Sequence, residues 1–109
     1  MQTNDYLTSL GLAMRAGKVA YGETTVKDAV FTKHTALVLL ASDAGNSLRR
    51  TFERLCREKH IPLIVIPEEK HRLGAAIGKE MCSVAAVLNK GLADSIAAKA
   101  ANHIGGGHI

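Results

Sequence analysis

The spacing of apolar positions changes several times along the chain, and each change marks an element. In residues 4–16, Leu7, Leu10, Ala13 and Met14 share one helical face, with Thr3 or Asn4 available as the cap and Gly17 as the stop. Val19, Ala20 and Tyr21 read as a short strand, and Gly22 supplies the free backbone a reversal needs. Val26, Ala29 and Val30, at i, i+3 and i+4, then predict an amphipathic helix running to about Lys33. Residues 37–41 are a continuous apolar run stopped by the turn-prone segment 42–46, the pattern of a strand covered on both faces. A helix over 47–59 carries Leu48, Phe52, Leu55 and Cys56 on one side, and residues 62–66 form the next buried strand, bounded by Pro62 and Pro67.

Residues 68–73 predict one or two helical turns, with Glu68 and Glu69 where the helix dipole favours negative charge. Residues 83–88 are the last buried strand, and a final helix over 90–101 buries Leu92, Ile96 and Ala100. The tail, 102–109, has no period and reads as a flexible end to a single domain spanning 1–101. Helices alternating with buried strands through short links imply an α/β domain with helices on both faces of one sheet.

Composition agrees with that reading. A chain of 109 residues, 47% hydrophobic and 22% charged, is an ordinary globular domain, long enough to bury about two-thirds of its unfolded surface. No apolar run approaches the roughly 20 residues of a membrane helix, and the opening residues lack the basic segment of a signal peptide, so the cytoplasm is the expected location. Cys56 and Cys82 stand apart without a zinc or redox spacing and read as buried free thiols. The net charge of +4 is densest at Arg49, Arg50, Arg54, Arg57 and Lys59, a bias toward polyanions that a solvated helix face would also give.

Two features bear on chemistry. The helix after Gly22 presents unpaired N–H groups and its positive dipole end at Glu23, Thr24 and Thr25, an arrangement able to hold an anion or a nucleic-acid edge. The segment 73–79, with Gly74, Gly78 and Lys79, lacks the spacing of a phosphate loop and precedes a strand instead of following one. The five histidines show no pairing at ligand spacing, no nucleophile elbow is present, and Glu68 and Glu69 would diverge by about 100° on a helix. No catalytic set, metal site or cofactor is therefore expected.

Several blocks in order carry a resemblance to a known family. They are Gly17-Lys18 and Gly22 before a helix, the strand 37–43, Cys56-x-x-x-His60-Ile61-Pro62, Leu73-Gly74-x-x-Ile77-Gly78-Lys79-Glu80, and Val84-Ala85-Ala86-Val87-x-x-x-Gly91. Together they resemble the kink-turn RNA-binding ribosomal-protein, or L-seven-Ae, superfamily, and within it the short bacterial YlxQ-like branch. The likeness covers residues 10–96. It implies a three-layer α/β/α sandwich around a four-stranded mixed sheet. It further implies a non-enzymatic, ribosome-associated protein that binds structured RNA, ribosomal RNA above all, without DNA specificity or membrane contact.

By the same resemblance, the turn and helix start from Gly22 to Asp28 read tandem G·A pairs at a sharp RNA bend, with Lys18, Gly22, Glu23, Thr24, Thr25, Lys27 and Asp28 as the implied RNA-binding residues. A second loop, Gly78 to Cys82, covers an extruded base, with Met81 as the cover and Ile77, Gly78, Lys79, Glu80 and Met81 as the RNA-binding residues implied there. Thr24, Thr25 and Asp28 stand where the family's RNA readers carry Asn, Glu and Lys, and Lys79 stands at a position that is apolar in the archaeal branch. The alternative is a protein-interaction module on the same fold, with the basic helix or the Gly22 turn meeting an acidic protein and RNA binding weak or absent. Fold alone does not decide between the two.

Overall fold

Two strands buried on both faces, β2 (Leu37–Leu40) and β4 (Val84–Val87), form the centre of the molecule, and everything else is arranged around them. The structure is a computed structural model and describes residues 5–32 and 34–105; the predicted cap at Thr3 or Asn4, the end of the second helix at Lys33, and tail residues 106–109 lie outside the described residues. β4 pairs antiparallel with β2 and, on its other side, with β1 (Val19–Tyr21), while β3 (Leu63–Val65) lies parallel to β2. The order is β1-β4-β2-β3, so the sheet is mixed and its two edges are three-residue strands, short enough to offer little template for unwanted pairing.

The period of two along the central strands divides the core. Leu37, Leu39, Ala85 and Val87 point to one face, where they meet α1 (Asp5–Arg15), α4 (Lys70–Ala76) and α5 (Lys90–Gly105). Val38, Leu40, Val84 and Ala86 point to the other, against α2 (Glu23–Phe31) and α3 (Asn46–Lys59). The register explains why the two sets stay apart: Leu37 sits opposite Val87, and Leu40 opposite Val84. The result is the expected three-layer sandwich. Cys56 and Cys82 are both buried free thiols in different layers, and burial pushes the Cys56 thiol up to about 11.

Three expectations need correcting. The acidic pair precedes the helix instead of forming its first turn: Glu69 is the extended N-cap residue (φ −80°, ψ 170°), its carbonyl accepting from Arg72 N and Leu73 N, and α4 starts at Lys70. The first N–H of that helix is satisfied instead by Asp43, whose carboxylate oxygen accepts from Lys70 N at 2.8 Å across the top of the sheet. Strand β3 is only half-buried along its length, because an edge strand has one neighbour and an open flank. Finally, α5 turns Ala93 inward with Ile96 and Ala100 and leaves Leu92 half-buried. Asn89 sets that phase by accepting from Leu92 N at 2.8 Å through its side chain and from Ala93 N at 2.8 Å through its carbonyl. The helix continues to Gly105, past the predicted end at Ala101.

Candidate nucleic-acid interface

At one end of the sheet, β1 runs into α2 while the chain leaving α4 runs into β4. Antiparallel pairing of β1 with β4 sets these two junctions side by side. Tyr21 lies opposite Ala85, and Gly22 N donates to the Val84 carbonyl at 3.2 Å. Gly22 has φ 91°, a conformation that a side chain would strain, and its carbonyl accepts from Val26 N at 2.9 Å to start α2. It has no side chain with which to cap the helix, so the first N–H groups of α2 face outward.

The facing loop is held down by its own hydrogen bonds. Lys79 N donates to the Gly74 carbonyl at 2.8 Å, and Cys82 N donates to the Lys70 carbonyl at 3.0 Å. Gly74 is required by the same packing: a Cβ there would lie 2.7 to 2.8 Å from the Cα, C and N atoms of Met81. Beneath the loop, the Cys82 thiol donates to the Val84 carbonyl at 3.2 Å. Burial pushes that thiol up, partly opposed by hydrogen bonding with Val84 and Gly22.

Between the two junctions lies a cavity of about 360 Å³, lined by Tyr21, Gly22, Glu23, Gly45, Leu48 and residues 81–84. That volume falls in the range of small-ligand sites, large enough for a single nucleobase. Met81 stands at its rim with 51% of its surface exposed, not as the first core residue of β4. Leu12 and Phe31 are exposed to a similar extent elsewhere on the surface, but of the three only Met81 borders this cavity. Across from it, the Lys79 ammonium sits 4.9 Å from the centroid of the Tyr21 ring, a cation–π contact worth about 0.5–1 kcal/mol at an exposed position that ties the α4–β4 loop to β1.

The residues singled out from the sequence are distributed unequally around this cavity. Gly22, Glu23 and Met81 line it, and Lys79 borders it through Tyr21. Thr24, Thr25 and Asp28 are exposed on the first turns of α2, while Lys27 pairs with Glu23 at 3.2 Å. Gly78 and Glu80 are exposed in the loop. Ile77 is only 5% exposed and packs into the core beside α1, so its side chain offers no surface. Lys18 is exposed at the opposite end of β1, where its carbonyl accepts from Leu88 N at 2.8 Å, four residues or roughly 13 Å from Gly22.

Tyr21, Gly45 and Leu48 also line the cavity but were not among the residues the sequence indicated. Tyr21 was detectable as the one aromatic side chain next to the Gly22 turn. Gly45 and Leu48 had no local signal, because they reach the site only through the packing of α3 beside α2. Among the described residues, no group of three or more His, Cys, Asp or Glu could hold a metal ion, and no helix is long and apolar enough to cross a membrane.

The fold and the cavity define a class: a small α/β/α sandwich with a base-sized recess between the start of one helix and the loop entering a central strand. The chain belongs to the ribosomal protein L7Ae/L30e/S12e/Gadd45 family, whose sequence pattern matches residues 5–97. It is 33% identical over 96 residues to the RNA-binding protein YlxQ of Bacillus subtilis (strain 168), covering 88% of this chain and 95% of that protein. A solved structure of a protein of unknown function from Bacillus halodurans superposes with a TM-score of 0.85 at 35% identity, covering 89% of this chain and 97% of the other.

Proposed function

We propose that this protein binds structured RNA, without catalysis, by receiving an unstacked base between the Gly22 turn and the 78–82 loop while the exposed start of α2 meets the adjoining base pairs. The observation that carries the reading is the exposed Met81 at the rim of a base-sized cavity whose other wall is Tyr21, Gly22 and Glu23. Sequence-specific RNA recognition targets bases splayed out of the helix and covered by apolar or aromatic groups, and Met81 and Tyr21 are such groups. Support comes from the relative in Bacillus subtilis, which is named an RNA-binding protein, and from the ribosomal-protein family to which the chain belongs.

The finer form of the proposal is a kink-turn, in which tandem G·A pairs lie beside the extruded base, within a ribosomal or ribosome-associated RNA in the cytoplasm. In that form the exposed Thr24 and Thr25 offer such pairs two hydroxyls able to donate and accept, while Asp28, one turn along α2, sets an anion where the family resemblance expects a cation.

The test is a titration of a kink-turn RNA beside a control with Watson–Crick pairs in place of G·A, using the wild type and Met81→Asp. The kink-turn should bind more tightly than the control. Met81→Asp should lose about 1–3 kcal/mol of binding, the scale for a base losing its stacking partner, while its unfolding midpoint stays near wild type because the residue is half in water. Equal affinity for both RNAs refutes kink-turn recognition. A variant that binds as the wild type does refutes the cavity as the base site.

A further inference from the structure

We infer that the outward face of α3 is a second RNA contact that holds the phosphate backbone of the stem leaving the cavity. This inference rests on the RNA-binding reading above and extends it to a surface that reading does not use.

Helix α3 carries five basic residues against two acidic ones, so three of the chain's four net charges sit on one 14-residue helix. They are not scattered. Phe52, Leu55 and Cys56 face the sheet, and at 100° per residue Arg50, Arg54 and Arg57 fall on the opposite side. With Ser47, Thr51 and Glu53 they line an open trough of about 510 Å³. Arg49 answers Glu53 at 3.1 Å. Arg54 reaches Glu58 only at 3.8 Å, in a pair more than half exposed. Arg50 and Arg57 have no ion-pair partner among the described residues.

Arg50, Arg54 and Arg57 put like charges one turn apart, an arrangement that disfavours the helix itself. An anionic partner removes that repulsion. The chemistry favours phosphate: arginine forks fit phosphate oxygens in a bidentate way, and the Ser47 and Thr51 hydroxyls, one turn apart, are the kind of donor that commonly contacts a nucleic-acid backbone. No apolar or aromatic residue lines the trough, so it lacks the anchor on which protein interfaces depend.

The trough and the cavity both reach the N-terminal end of α3. Gly45 and Leu48 at the start of α3 line the base-sized recess, and Ser47, between them, opens the trough. From that end the arginines continue along the helix, Arg54 about 6 Å beyond Arg50 and Arg57 about 4.5 Å beyond Arg54.

The test compares a kink-turn RNA with short stems against one extended by a helical turn, titrated at several salt concentrations. Three proteins are used: wild type, Arg50→Gln/Arg54→Gln/Arg57→Gln, and Arg72→Gln/Lys90→Gln/Lys99→Gln. The last removes the same charge from α4 and α5 on the other side of the sheet. Each lost phosphate contact lowers the salt slope by about 0.7–0.9. On the extended RNA, the wild type should therefore lose roughly 20- to 40-fold more affinity between 50 and 200 mM salt than the α3 variant does. The short-stem RNA and the α4–α5 variant should show no such difference.

An α3 variant matching the wild type in affinity and slope overturns the inference, even if it loses capture of an acidic protein. So does equal loss on both RNAs, or equal loss from the α4–α5 variant, which would mean only net charge is felt. Failure of the cavity is separable: if Met81→Asp binds normally while the α3 variant loses its slope, the base site falls and the α3 contact stands.

Discussion

Gly74→Ala sets two known effects against each other and lets the packing of the recognition loop decide. In an isolated helix the change stabilises by about 1 kcal/mol, because alanine is the better helix former. Here the new methyl would sit 2.7, 2.8 and 2.8 Å from three backbone atoms of Met81, whereas carbon atoms rest at about 3.5–4.0 Å. The loop would have to retreat by roughly 0.7 Å or more, and no rotamer change relieves a clash with backbone. Retreat pulls on the bonds from Lys79 N to the Gly74 carbonyl and from Cys82 N to the Lys70 carbonyl. Overpacking of this kind costs about 1–3 kcal/mol, and each strained hydrogen bond adds a fraction of its net value of about 1 kcal/mol.

The net expectation is a loss of about 1–2 kcal/mol in urea unfolding, together with weaker RNA binding as Met81 leaves the rim. Gly91→Ala is the control, since a Cβ there meets only the Asn89 side-chain oxygen, at 3.4 Å; it should be neutral or stabilising. If Gly74→Ala is as stable as Gly91→Ala and binds RNA as the wild type does, the loop yields freely and its position is not set by α4.

Thr24→Asn, Thr25→Glu and Asp28→Lys made together alter only exposed side chains of α2, so the fold should be unchanged. A single well-made bond to a charged group, about 1.5–3 kcal/mol, would tighten kink-turn binding roughly tenfold or more, and an equal gain for the Watson–Crick control would show that only charge had changed. Asp43→Ala removes the acceptor for the first N–H of α4 and should cost about 0.5–2 kcal/mol, with Asp43→Asn recovering most of it; an Asn variant as unstable as Ala in urea would exclude the hydrogen bond as the cause. For Cys56, the folded value of about 11 lies above the ordinary 9.0, so the unfolded chain loses its proton first and stability, full below pH 9, falls as pH rises toward 11. Urea unfolding at pH 8 and pH 10.5 should show a pH-dependent loss smaller by roughly 2 kcal/mol in Cys56→Ala than in wild type, and equal losses would mean the thiol is not titrating.

What was legible in the sequence is what depends on neighbours along the chain. The continuous apolar runs of β2 and β4, the helical stripe of Phe52, Leu55 and Cys56, and the turn at Gly22 each follow from local sterics and the burial of apolar side chains; together they imply the layered α/β architecture that the structure has. The short bacterial family branch was recognisable from ordered blocks for the same reason. Tertiary structure decided what depends on residues far apart in sequence. The side-chain acceptor for the first N–H of α4 is Asp43 from the β2–α3 loop, 27 residues away, and not the N-cap Glu69. Ile77 enters the core while Met81, four residues later, stays in water, a difference set by where Gly74 lets the loop approach α4. The recess itself exists because β1 and β4, more than 60 residues apart, pair antiparallel and set Gly22 against Val84. No periodicity encodes that pairing, since it joins segments far apart in the chain.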